Sequence, residues 1–137
     1  MRYNLLDRQK DLIILLARIL MMILFVTAGW GKLTAFSGTV GYFSAIGAPL
    51  PQVAAAVAIV MEFFVGLALV LGFYTRPLAL LMSLFVLGTA IIGHHFWNMV
   101  EPDKSANTIQ FFKNMSIIGG LWLLSVTGAG RFSLDRR

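Results

Sequence analysis

Long apolar runs alternate with short polar stretches along this chain, and each run approaches the length of a bilayer crossing. Leu12 to Gly31 is mostly apolar, broken by Arg18 and closed by Lys32. Leu50 to Phe73 is almost wholly apolar, with one carboxylate, Glu62, near its middle. Pro77 to Trp97 and Thr108 to Gly128 complete the set. A helix needs ~20 residues to cross a hydrocarbon core. The pattern therefore predicts an all-α integral membrane protein, a bundle of four transmembrane helices over about 12–32, 51–73, 77–97 and 108–128. The chain reads as a single domain over 1–137. The fourth span is the most polar: Met115 to Val126 is too short alone, and starting at Thr108 brings Gln110, Lys113 and Asn114 into the membrane.

Helical spacing says which faces turn inward. Arg18, Met22, Phe25, Gly29 and Lys32 share one stripe of the first span, a candidate buried face. In the second span Ala54, Ala58, Glu62 and Gly66 lie on one i+4 ridge, and small residues there let helices approach closely. Glu62 is thus expected to face the bundle. Lys113, Ser116, Gly120 and Thr127 form a polar and small stripe, which predicts a fourth helix packed through it against its neighbours. Between the first two spans, Phe36, Val40, Phe43 and Ile46 recur as in an amphipathic helix too short to span. This segment is read as interfacial or re-entrant, lying over the bundle as a lid, with a plain loop as the alternative.

Composition agrees with a membrane. The 137 residues are 58% hydrophobic and 12% charged, where a soluble domain carries about 25% charged residues. The net charge of +5 does not point to nucleic acid, because the bases sit at the termini and between apolar runs. They set a topology instead. Arg2, Arg8, Lys10, Arg76, Arg131, Arg136 and Arg137 fall on one side, and Lys32 and Lys104 on the other. The positive-inside rule then places both termini in the cytoplasm. The first run is too long for a secretory signal, carries Arg18, and is followed by no A-x-A site. The chain has no cysteine, so any thiol chemistry belongs to a partner.

The candidate chemistry gathers at one end. In this topology Lys32, His94, His95, Asn98, Lys113 and Asn114 all lie toward the outer surface, and the lean of helical side chains tilts Glu62 toward them. A charge at mid-bilayer costs ~2.5–3.5 kcal/mol on insertion scales, so Glu62 needs a partner or a wet pocket. By helix rise Glu62 lies roughly 16 Å below its outer end and Lys113 roughly 7 or 8 Å below its own. The gap is a candidate ligand pocket between the second, third and fourth spans. Such a group passes protons, or holds a quinone carbonyl by imidazole or amide donors while Glu62 delivers a proton. Arg18, on the inner side, is either a further ligand contact or a cation snorkelling to the near headgroups. The alternative for Glu62 is a paired structural group that sets helix register. No metal site is expected, since adjacent side chains on a helix diverge by about 100° and His94 and His95 cannot share an ion easily. The same geometry disfavours one haem on both histidines; a haem on one of them, or shared between subunits, stays open.

Arg18-Ile19-Leu20, Ala28-Gly29-Trp30-Gly31-Lys32-Leu33, Gly47-Ala48-Pro49, Glu62, Gly72-Phe73-Tyr74-Thr75-Arg76 and Phe112-Lys113-Asn114, in this order, resemble the DoxX family across nearly the whole chain. The resemblance implies a four-helix protein of the bacterial inner membrane. The family's name comes from a subunit linked to thiosulfate:quinone oxidoreduction, and other members are tied to thiol-redox and oxidative-stress partners. Three functions are therefore expected in order: a quinone- or lipid-facing component of a membrane redox system, a small proton-coupled exporter working as a homo-oligomer, and a non-catalytic membrane partner of other proteins.

Overall fold

Backbone groups in hydrocarbon have no water to bond, so each apolar run closes its hydrogen bonds within itself as a helix. The computed structural model describes residues 6–135. Arg2, Arg136 and Arg137, which contribute to the charge asymmetry, lie outside the described residues. Helix α1 is Lys10–Thr34, α2 Phe36–Ala45, α3 Pro51–Ile59, α4 Gly66–Leu71, α5 Thr75–Gly93 and α6 Asp103–Thr127. A π-helical turn, Val60–Val65, joins α3 to α4, and a 3₁₀ turn, Phe96–Asn98, follows α5. Four helical stretches are long and apolar enough to cross a membrane: Lys10–Thr34, Pro51–Leu71, Thr75–Asn98 and Asp103–Thr127. No strand occurs among the described residues.

Local sequence explains the punctuation. Pro51 opens α3 in its first turn, where a missing N–H leaves no bond unmade. Gly72 ends α4 in the left-handed region at φ 70°, and Phe73 N–H donates back to the Ala68 carbonyl at 2.9 Å. The fourth span starts at Asp103, five residues before the apolar pattern does, because a helix continues through polar residues once it leaves the hydrocarbon.

The core forms where α1, the second span, α5 and α6 meet. Met22, Phe25, Met61, Leu69, Met82 and Leu121 pack there, three of them methionines whose flexible side chains fill irregular gaps. The α1 stripe is buried as its spacing requires, at Arg18, Met22, Phe25 and Gly29. The α6 stripe is not. Lys113, Ser116 and Thr127 are exposed, and Gly120 alone comes close to a neighbour, the Met21 side chain at 3.2 Å. The apolar face at Ile118, Leu121 and Leu124 turned inward instead. The hydroxyls of Ser116 and Thr127 donate to Phe112 and Leu123 carbonyls of their own helix, so they need no partner across a helix interface.

The chain leaving α6 doubles back over the turn between α4 and α5. Leu134 N–H donates to the Leu71 carbonyl at 3.0 Å and Asp135 N–H to Gly72 at 2.8 Å. The Asp135 carboxylate accepts from Tyr74 N–H at 2.9 Å and Thr75 N–H at 2.8 Å, capping α5. Arg131 N–H reaches Asp11 at 3.0 Å. Arg18 joins this end: its Nη2 donates to the Phe132 carbonyl, and a Cβ on Gly72 would collide with its Nη1. Arg18 is fully buried and does not snorkel to headgroups. The returning segment supplies a carbonyl inside the protein, toward the α1 N-terminus where the side chain already leans.

Candidate functional site

At the opposite end of the bundle, Gly29 determines how closely α1 meets the second span. A Cβ there would stand 2.6 Å from Phe63 N and 3.0 Å from the Glu62 carbonyl carbon, so only glycine permits the contact. The segment it touches is the π-helical turn, whose i→i+5 bonding widens the helix and re-aims its side chains. Glu62 sits in that turn and is 8% exposed, while Phe64, two residues on, is 55% exposed. Three residues beyond Gly29, in the last turn of α1, Lys32 Nζ donates to Glu62 Oε2 at 2.6 Å. The ion pair therefore follows from a close helix crossing. It meets the demand that a carboxylate at this depth find a cation.

Beside the pair lies a cavity of about 410 Å³, within the range of small-molecule sites. It exists because small residues face it: Ala28 on α1, Ala54 and Ala58 on α3, Gly88 and Gly93 on α5. Helix α2 covers one side with Tyr42 and Phe43, and Ile46 just after it adds to the cover. The Thr39 hydroxyl, bonded to the Ala35 carbonyl at 3.1 Å, lies on its buried face. The lining is chiefly apolar, and its polar groups are Lys32, Glu62, Thr89, His94 and Asn114, with the Tyr42 ring at the cover.

The structure brings together some of the residues singled out in the sequence and separates others. Lys32, Glu62, His94 and Asn114 line the cavity. His94 bonds through Nδ1 to Asn107 Oδ1 at 2.8 Å. His95 does not line it: its Nδ1 donates to the Ile92 carbonyl at 2.9 Å and its ring lies against Trp97. Asn98 is exposed on the 3₁₀ turn, and Lys113 is exposed on α6. Arg18 belongs to the far end of the bundle, 14 residues from Lys32 along α1, roughly 21 Å by helix rise. The cavity lies chiefly among α1, α2, α3 with its π turn, and α5; α6 contributes only Asn114 to it. This differs from the expected pocket between the second, third and fourth spans, because Lys32 and not Lys113 reaches Glu62. Thr89 and Asn107 were not foreseen. Thr89 had a signal, a hydroxyl in an apolar run one and a half turns before His94; Asn107 had none, since its role depends on how α5 and α6 are aligned.

Comparison with known proteins bears on the whole chain. The DoxX family profile matches residues 13–95. The inner membrane protein YphA of Escherichia coli is 45% identical over 137 residues, 100% of this chain and 98% of that protein. The inner membrane protein YqjF of the same organism is 46% identical over 130 residues, 93% of this chain and 92% of its own length. The ER-derived vesicles protein ERV29 of Saccharomyces cerevisiae is 23% identical over 131 residues, 96% of this chain but 35% of that protein. No solved structure matches the chain.

Proposed function

The chain belongs to the DoxX family and is an integral inner-membrane protein, and from that premise we propose that it is a quinone- or lipid-facing component of a membrane redox system. The observation that carries this reading is the apolar cavity of about 410 Å³ with the Lys32–Glu62 pair in its wall. An apolar ring suits the Leu24, Phe25 and Val57 surfaces, an oxygen on that ring suits the Lys32 ammonium as an acceptor, and a hydroxyl there also suits the Glu62 carboxylate or the imidazole of His94 as a donor. Paired with Lys32, Glu62 has one oxygen committed and another available to a ligand. In the same reading both termini are cytoplasmic, and the cavity occupies the outer half of the bilayer.

The test is solvent extraction of the protein purified in mild detergent, with quinone quantified against protein. Stoichiometric quinone that is lost in Ala54→Phe, which places a ring in the cavity, is the expected result. No endogenous quinone, together with no binding of an added short-chain quinone or hydroquinone, would refute it. Proton-driven solute flux in vesicles under those conditions would favour the oligomeric exporter.

A further inference from the structure

The hydrogen-bonding inventory of the cavity goes one step beyond its apolar character, and the following rests on the reading of the cavity as a ring site. Thr89 gives its only hydroxyl hydrogen to the Val86 carbonyl at 2.9 Å. Asn107 gives its amide N–H to the Asp103 carbonyl at 3.0 Å, which turns its Oδ1 toward His94. The imidazole therefore donates from Nδ1, and in the neutral ring Nε2 is left as an acceptor. Glu62, paired with an ammonium at 2.6 Å, is a carboxylate with no hydrogen to give. Three groups facing the cavity from two elements, Glu62 on the π turn and Thr89 and His94 at the end of α5, thus present lone pairs only. Donors come from the remaining hydrogens of Lys32, the Asn114 amide and the Tyr42 hydroxyl.

A ring bearing carbonyls brings only acceptors. Turned toward α5, its oxygen meets the lone pairs of Thr89 and His94, and a buried polar group without a partner is penalised. A ring bearing hydroxyls donates to Glu62, Thr89 or His94, and the same oxygens accept from Lys32 or Asn114. We propose that the cavity selects the hydroxylated form of an aromatic ring, a hydroquinone or phenol, over the carbonyl form. Asn107 is the positioning residue of this selection. It touches no ligand and holds His94 in the tautomer that accepts.

The experiment is anaerobic titration calorimetry of the purified protein with three probes: a decyl-substituted benzohydroquinone, the corresponding benzoquinone, and the dimethyl ether of the hydroquinone. The hydroquinone should bind at least about tenfold tighter than either of the others, the range for leaving one buried polar group unsatisfied. Thr89→Val should weaken hydroquinone binding and should not weaken quinone binding. Asn107→Leu frees the imidazole to present either nitrogen, so the ratio of the two affinities should fall toward unity; a merely structural loss would lower both together. Equal binding of hydroquinone and quinone, or preference for quinone, overturns the selection while leaving the ring site standing. Binding of none of the three overturns the ring site and the selection with it.

Discussion

The Lys32–Glu62 pair makes a quantitative prediction about coupling. In Lys32→Met the carboxylate of Glu62, whose side chain is 11% exposed, stays in place without its cation. Removing one partner of a fully buried pair costs about 3–5 kcal/mol. The adjoining cavity moderates this, and a loss of about 2–3 kcal/mol is expected. Glu62→Leu leaves an ammonium whose side chain is 24% exposed and able to extend into the cavity, so about 1–2 kcal/mol is expected. The double variant Lys32→Met/Glu62→Leu removes both desolvation penalties and should lie within about 1 kcal/mol of the parent. The coupling between the two sites is then roughly 2–5 kcal/mol, near or above the upper end for contacting residues. Reversible unfolding in mixed micelles, titrated with SDS and followed by circular dichroism, measures all four proteins. A double variant whose loss equals the sum of the two singles would show that the residues do not sense each other's charge.

Three further outcomes are expected. Gly29→Ala should destabilise by about 1–3 kcal/mol, since its Cβ meets backbone atoms that have no freedom to move aside, whereas Gly31→Ala, with nothing within 4 Å, should be neutral in the same titration. Asp135→Ala should cost about 1 kcal/mol and speed hydrogen exchange in the first turn of α5, because two backbone N–H groups lose their acceptor. Reporter fusions at Arg137 and within the 99–106 loop should report opposite sides of the membrane; the same side for both would overturn the topology inferred from the bases.

The sequence by itself determined what depends on local chemistry. Run length and hydropathy specified four spans, since a chain in hydrocarbon satisfies its backbone only by helix or closed barrel. The helical period specified the α1 face at Arg18, Met22, Phe25 and Gly29, and the inward turn of Glu62. The amphipathic spacing of Phe36, Val40, Phe43 and Ile46 specified a short helix, and α2 is that helix up to Ala45. Each of these follows from a repeat that one element carries alone.

Tertiary structure decided the rest. Lys32 and Lys113 were both candidate cations on the outer side of Glu62; that Lys32 reaches it depends on rotation about the helix axes and on the Gly29 crossing, neither of which helix rise along one segment contains. The π turn has no sequence signature here, because i→i+4 and i→i+5 bonding use the same residues and packing against α1 chooses between them. Arg18 changed from a possible headgroup contact to a buried anchor because a segment 114 residues distant brings a carbonyl to it. The α6 stripe pointed outward because its apolar face packed better on α5, and its hydroxyls could bond their own helix. Asn107 acquired its place beside His94 only when α5 and α6 met in one register. Helical period is a property of one segment and is readable in order; partner, register and crossing distance belong to pairs of segments, and only the assembled bundle contains them.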